Sequence, residues 1–188
     1  MKMKSESKKH SQENMVKHFK VVVCGNQSSG KSLFITRLGR FIDFSDIREN
    51  QYAKILEGNG LLENSFFFLT ILELNSAKDL LENFNSFEFS DLDAVILFSS
   101  PEKLENLNFI SLFDSQLNET ISLNKSRAKI FRVLNKLDLM KDTRVPNIKI
   151  QRGDTKISSE NFFPLSAQNN TNTKSFFSYM LNNLINGK

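Results

Sequence analysis

One eight-residue run constrains this chain most: Gly25-Asn26-Gln27-Ser28-Ser29-Gly30-Lys31-Ser32, set between two apolar segments. Upstream, Phe19 to Cys24 (FKVVVC) is short and valine-rich, the mark of a buried strand. Downstream, Lys31 to Phe41 is apolar at Leu33, Phe34, Leu38 and Phe41, which suits a helix. A strand feeding a helix through this loop matches G-x-x-x-x-G-K-[ST] in the context its chemistry requires. The glycines let the backbone curl so that successive N–H groups face one phosphate chain. The helix N-terminus adds unsatisfied donors and a positive dipole end. Residues Gly25 to Leu33 are the expected phosphate contacts. Lys31 would neutralise the β- and γ-phosphates, and Ser32 would ligate a Mg²⁺ bridging them.

The rest of the chain alternates strand and helix. Gln51 to Glu57 reads as a weak strand, Gly58-Asn59-Gly60 as a turn, and Ser65 to Leu74 (SFFFLTILEL) as a strong strand, so a hairpin is predicted there. Ala94 to Ser99 and Lys129 to Leu134 are further buried strands, and Phe162 to Leu165 a short one. Leu104, Leu107, Ile110, Phe113 and Leu117 recur with helical spacing. Phe176, Phe177, Met180, Leu181, Leu184 and Ile185 form the stripe of a final helix. Segment 141–160, with Pro146 and Gly153, reads as a loop or a small hairpin. The pattern predicts an α/β fold with a parallel-dominated sheet covered by helices on both faces.

Composition narrows the function classes. The 188 residues suit one domain, and 39% hydrophobic with 24% charged residues is a globular balance. No apolar run is long enough to span a bilayer. Cys24 is the only cysteine, so an internal disulfide is excluded and a reducing, cytoplasmic setting is the expectation. The net charge is +4, and residues 1–18 hold +3 of it through Lys2, Lys4, Lys8, Lys9 and Lys17 against Glu6 and Glu13. The remaining body is too balanced for a nucleic-acid surface. Residues 1–17 are expected to be a disordered basic tail with weak contact to acidic surfaces, and 18–188 the folded domain.

Two further segments suit a purine base. Asn135-Lys136-Leu137-Asp138 follows directly on the strand KIFRVL. At the end of a parallel strand beside the loop, side chains reach a bound base. The Asp138 carboxylate would accept the N1–H and 2-amino group of guanine, a donor pair that adenine lacks. Asn135 would tie the segment to the loop, and the Lys136 stem would lie over the ring. Ser166-Ala167-Gln168 precedes the last helix, where the Ala167 N–H would donate to the guanine O6.

In this order and spacing, GNQSSGKS, NKLD and SAQ resemble three nucleotide-binding motifs of the Ras superfamily of small GTPases, over residues 19–186. The resemblance implies a three-layer P-loop fold with a mostly parallel six-stranded sheet and five helices. It also implies GTP or GDP as ligand and Mg²⁺ as cofactor. The wording of GNQSSGKS is also similar to the dynamin family, whose domains are much longer.

The chain departs from the family where the γ-phosphate is sensed. No threonine lies between Thr36 and Thr70, leaving Ser45 as a substitute for the family's first-switch threonine. No D-x-x-G occurs, and the equivalent stretch reads Glu73-Leu74-Asn75-Ser76. Glu73 would still reach a Mg²⁺-bound water. Ser76 replaces the hinge glycine, and Ala77 stands where the family carries a water-orienting glutamine. Gln27 sits where bulk hinders an arginine finger. No catalytic side chain is assigned from the sequence; Gln27 and Glu73 are the candidates.

The expectation is a guanine-nucleotide-binding protein with slow or absent hydrolysis, presenting a surface to a protein partner. The alternatives are an active GTPase using Ser45 and Glu73, or a nucleotide-free pseudo-GTPase interaction module. With no C-terminal cysteine and Lys2 after Met1, no prenyl or myristoyl anchor is expected.

Overall fold

The computed structural model describes residues 16–62, 65–86, 89–101, 104–140, 149–152, 155–158 and 162–187. Its centre is β1 (Lys17–Gly25), whose valines are buried on both faces. Val21 and Val23 enter one hydrophobic core, and Val22 and Cys24 enter the other. That alternation makes β1 an interior strand, paired in parallel with β4 (Ser65–Leu74) and β5 (Ala94–Ser99). The other strands of the sheet are β2 (Ile42–Glu49), β3 (Ala53–Leu62), β6 (Lys129–Leu134) and β9 (Phe163–Pro164). Their order is β2-β3-β4-β1-β5-β6-β9. The pairs β5–β6 and β6–β9 are parallel, while β2–β3 and β3–β4 are antiparallel.

Helices cover both faces. On one face α1 (Lys31–Leu38) and α4 (Thr173–Ile185) bury Phe34, Leu38, Phe176 and Phe177 against Val21, Ile71 and Ile96. The Phe34 ring lies 4.9 Å from Phe98 and 5.7 Å from Phe176. Each such buried ring contributes about 1.5–3 kcal/mol. On the other face α2 (Ala77–Asn83) and α3 (Leu104–Leu123) bury Leu80, Ile110, Phe113 and Leu117 against Val22, Leu72 and Val95. Arg132 of β6 is clamped to α3 by Asp114, Nε to Oδ1 and Nη2 to Oδ2 at 2.9 Å each. None of the helices described is long and apolar enough to cross a membrane.

The α/β layering agrees with the sequence reading, and the sheet corrects it. The sheet has seven strands where six were expected, and it is mixed: the four pairs from β4 through β9 are parallel and the two at the β2–β3–β4 edge antiparallel. Four α-helices lie among the described residues, where the resemblance implied five. The unforeseen strand is β2, which adds an antiparallel edge outside β3. Its alternation of Ile42, Phe44 and Ile47 is broken by a bulge between Phe44 and Asp46, which hid the period. Gly58 and Gly60 are strand residues, not a turn. A Cβ on Gly58 would lie 2.6 Å from the Asp43 carbonyl oxygen, and one on Gly60 would lie 2.5 Å from the Phe67 ring. Glycine here permits close approach of β2 and of the Phe67 ring. The predicted hairpin exists, with Leu62 opposite Ser65.

Within 141–160, β7 (Lys149–Arg152) and β8 (Thr155–Ser158) pair as an antiparallel hairpin, one of the two forms expected. Of the expected basic tail at 1–17, residues 1–15 lie outside the described residues, and Lys17 already belongs to β1. Helix α2 was not anticipated. It is short, with Ala77 and Leu80 as its buried contacts.

Candidate functional site

The Gly25–Ser32 loop leaves the end of β1 with three residues at positive φ: Gly25 at 143°, Ser28 at 59° and Gly30 at 90°. Two of these need glycine for space as well. A Cβ on Gly25 would lie 2.1 Å from the Phe98 carbonyl oxygen, and one on Gly30 would lie 2.2 Å from Asn135 Nδ2. Gly30 is also the N-cap of α1 and supplies no side-chain cap, so the first-turn N–H groups of that helix are open toward the loop. Gln27 and Ser28 are exposed at the loop tip, while Ser29 is buried. Leu33, in the first turn of α1, packs its side chain on the core.

Lys31 folds back under the loop. Its Nζ donates to the Gly25 carbonyl at 3.2 Å and to the Asn26 carbonyl at 3.0 Å. Burial pulls its pKa below the ordinary lysine value, and the neighbouring Cys24 and Glu73 oppose that shift. Cys24 itself is pushed up to about 12 by burial, so it stays a neutral thiol and packs as a small core residue.

Asn135 joins the three sequence motifs. It sits just after β6 and is 2% exposed. Its Nδ2 donates to the Ser29 carbonyl at 2.8 Å, and its Oδ1 accepts the Ala167 N–H at 2.9 Å. The first contact is the tie predicted from sequence. The second engages the Ala167 N–H, the donor expected to meet the guanine O6, within the chain. Asp138 follows in a 3₁₀ turn at Leu137–Leu139 and accepts the Ser166 hydroxyl. Asp138, Lys136 and Gln168 are all exposed or half-exposed at this end of the sheet. Ser166 and Thr171 exchange backbone hydrogen bonds at 3.0 and 2.9 Å, closing the 166–171 loop.

Arg37 was missed from the sequence. From α1 its guanidinium donates to the Ala167 carbonyl at 3.1 Å and the Gln168 carbonyl at 3.0 Å. Nothing in its local pattern separates it from a solvated helix arginine, since its partners lie 130 residues away.

The side toward β3 differs. The Ser32 hydroxyl donates to Glu73, at the end of β4. A cavity of about 230 Å³ adjoins this pair, lined by Ser32, Glu49, Ala53, Lys54, Glu73 and Asn75. Lys54 lies opposite Glu49 on β2 and opposite Glu73 on β4. The turn from β2 to β3 is fixed by Asn50, whose Oδ1 accepts the N–H groups of Tyr52 and Ala53 at 2.8 Å each. Ser45 is at the bulge, its Oγ 3.5 Å from the Glu57 carbonyl. Glu57 pairs with Thr70, three residues from Glu73 along β4, or about 10 Å at the rise of a strand. Ser45 therefore does not reach Ser32. Ser76 is the N-cap of α2, its Oγ accepting the Lys78 N–H at 3.1 Å, and Ala77 is buried beneath that helix.

Among the described residues, no group of three or more His, Cys, Asp or Glu side chains is placed to hold a metal ion. Ser32 with Glu73 offers two oxygen donors, which suits only a cation that keeps most of its waters. No protein-family model matches this chain, and no curated protein matches it.

Proposed function

We propose that the chain binds a guanine nucleotide on a small-GTPase-like P-loop domain and hydrolyses GTP slowly or not at all. The observation that carries this reading is Asn135. It bridges the Ser29 carbonyl and the Ala167 N–H, so three motifs spread over some 140 residues meet at one end of the sheet. The uncapped N-terminus of α1 and the glycine-shaped loop fit a phosphate chain. Lys31 would exchange its two loop carbonyls for phosphate oxygens, a stronger charge-assisted contact. Ser32 and Glu73 would hold Mg²⁺, which when bound neutralises phosphate charge. Asp138 would turn from Ser166 to the base, with Lys136 beside it.

The same geometry argues against fast hydrolysis. Ala77 is buried and Ser76 is occupied as a helix cap, so neither orients a water. Ser45 is hydrogen-bonded in an edge strand away from Ser32. The reading of an active GTPase built on Ser45 and Glu73 loses its first residue. The proposed task is a nucleotide-stabilised surface for a protein partner.

A nucleotide-free interaction module is favoured by one observation. Lys31, Ser32, Asn135, Asp138 and Ala167 all satisfy one another or the backbone within the chain. Titration with fluorescent GDP and GTP, with and without Mg²⁺, separates the two. Saturable binding lost in Lys31→Ala, with guanine preference shifted toward xanthine in Asp138→Asn, supports the nucleotide site. No saturable binding by the full chain leaves the interaction module. Single-turnover phosphate release at a family-like rate would contradict the slow-hydrolysis reading.

A further inference from the structure

A row of three charged side chains crosses the sheet beside Ser32. Glu49 of β2, Lys54 of β3 and Glu73 of β4 are cross-strand partners in register. Strand alternation puts Lys54 on the face of Leu56 and Glu73 on the face of Ile71, and both of those residues enter the core beneath α1 and α4. Ser32, in the first turn of α1, meets this row and donates to Glu73. Glu49 is exposed, whereas Lys54 and Glu73 are half-buried. Among the described residues Lys54 joins no ion pair, although a glutamate stands on the strand to either side. Its side chain lines the cavity of about 230 Å³ beside Ser32.

Strand order gives this cavity its place along a bound nucleotide. In the sequence β3-β4-β1-β5-β6, the loop follows β1, Asp138 follows β6 two strands to one side, and Lys54 opens β3 two strands to the other. At about 4.8 Å per strand, four strand spacings separate Asp138 from Lys54 by about 19 Å. A nucleotide with its base at Asp138 and its first phosphates on the loop therefore extends its phosphate chain toward β4 and β3. Among the residues lining the cavity there, Lys54 is the only cation. A lysine ammonium bonds a phosphate oxygen with roughly twice the strength of a neutral hydrogen bond. Lys54 also follows directly on the turn held by Asn50, so a fixed backbone carries it.

We propose that Lys54 is the side chain by which this site prefers a nucleoside triphosphate to a diphosphate, its ammonium bonding the terminal phosphate from β3. The inference rests on the nucleotide reading above and adds to it the residue that discriminates between the two ligands. With a diphosphate bound, the ammonium faces only the carboxylates of its own row. With a triphosphate it gains an acceptor of higher charge. Recognition then comes from a strand already paired on both sides, and it requires neither a threonine nor a glycine hinge.

Fluorescent GDP and a fluorescent non-hydrolysable GTP analogue, each titrated into the full chain at fixed salt and Mg²⁺, read this preference directly. Wild type should bind the analogue more tightly than GDP. Lys54→Gln should weaken the analogue about tenfold and GDP less than about twofold, so that retained GDP binding also shows the variant to be folded. Lys54→Arg, which keeps the positive charge, should restore most of the preference. An equal loss for both ligands would make Lys54 a structural residue and overturn the proposal. An unchanged preference in Lys54→Gln would overturn it too, while leaving the nucleotide reading intact. Failure of that reading looks different: wild type and Lys31→Ala alike would show no saturable binding of either ligand, and the role of Lys54 would fall with it.

Discussion

Two regions meet at Glu73, and they use their polar groups in different ways. Toward β1 and β6, side chains hold backbone groups of distant loops: Asn135 holds Ser29 and Ala167, and Arg37 holds Ala167 and Gln168. Toward β2 and α2, partners are local: Asn50 holds its own turn, and Ser76 caps its own helix. The first arrangement fixes three remote segments to one another and leaves Lys31, Lys136 and Asp138 gathered at one end. The second converts chain that would otherwise be loose into a strand and a capped helix. Long-range ties hold remote segments in one frame, whereas local ties leave backbone groups with little to gain by moving.

The contrast can be broken most directly at Gly25. Gly25→Ala combines a φ of 143° with a Cβ placed 2.1 Å from the Phe98 carbonyl oxygen. The expected cost is about 4 kcal/mol or more in urea denaturation. A variant as stable as wild type would mean that the loop is not held as described.

Asn135→Ala comes next. It strands a buried carbonyl and a buried N–H, and should cost about 3 kcal/mol. Proteolysis should then open the Gly25–Ser32 and 166–171 loops before the β2–β3 hairpin. If the hairpin were cleaved first, the long-range ties would not be what holds this end together.

An alkaline titration sharpens the same boundary. Burial raises the Cys24 thiol from 9.0 to about 12 in the folded chain. The folded state therefore keeps a proton that the unfolded chain loses above pH 9.0. The stabilising effect is complete below pH 9.0 and declines as pH rises toward 12. Wild type should lose up to about 1.4 kcal/mol per pH unit relative to Cys24→Ala over that interval. Parallel pH profiles for the two proteins would contradict the burial of the thiol.

The smallest effect is expected on the hairpin. Arg48 Nη2 lies 2.5 Å from Glu57 Oε1, but both side chains are well exposed. Arg48→Ala should change stability by no more than about 0.5 kcal/mol in thermal melting. A larger loss would give the β2 edge more weight than its local contacts imply.

What could be read from sequence follows the same division. FKVVVC, AVILFS and KIFRVL are apolar enough to betray β1, β5 and β6, because strands buried on both faces need no alternation. The stripe of Phe176, Phe177, Met180 and Leu181 likewise identified α4. The Asn135 tie to the loop was legible because the motif carries its geometry. β2 was not, since its bulge at Ser45 shifts the period by one residue. Gly58 and Gly60 misled because their use is spatial: the neighbour that demands a missing Cβ is Asp43 for one and the Phe67 ring for the other. Arg37 and the Asp114–Arg132 clamp depend on partners that no local window contains.

The bridge made by Asn135 also dictates a timetable. Synthesis delivers the glycine loop among the earliest folded residues, yet the Ser29 carbonyl waits more than a hundred residues for its amide partner, and the Ala167 N–H arrives later still. A ribosome adding about 5–20 residues per second imposes a delay of several seconds. Throughout that interval the nascent chain holds an incomplete nest, so any ligand it recruits at full strength must be recruited after nearly the whole polypeptide has emerged.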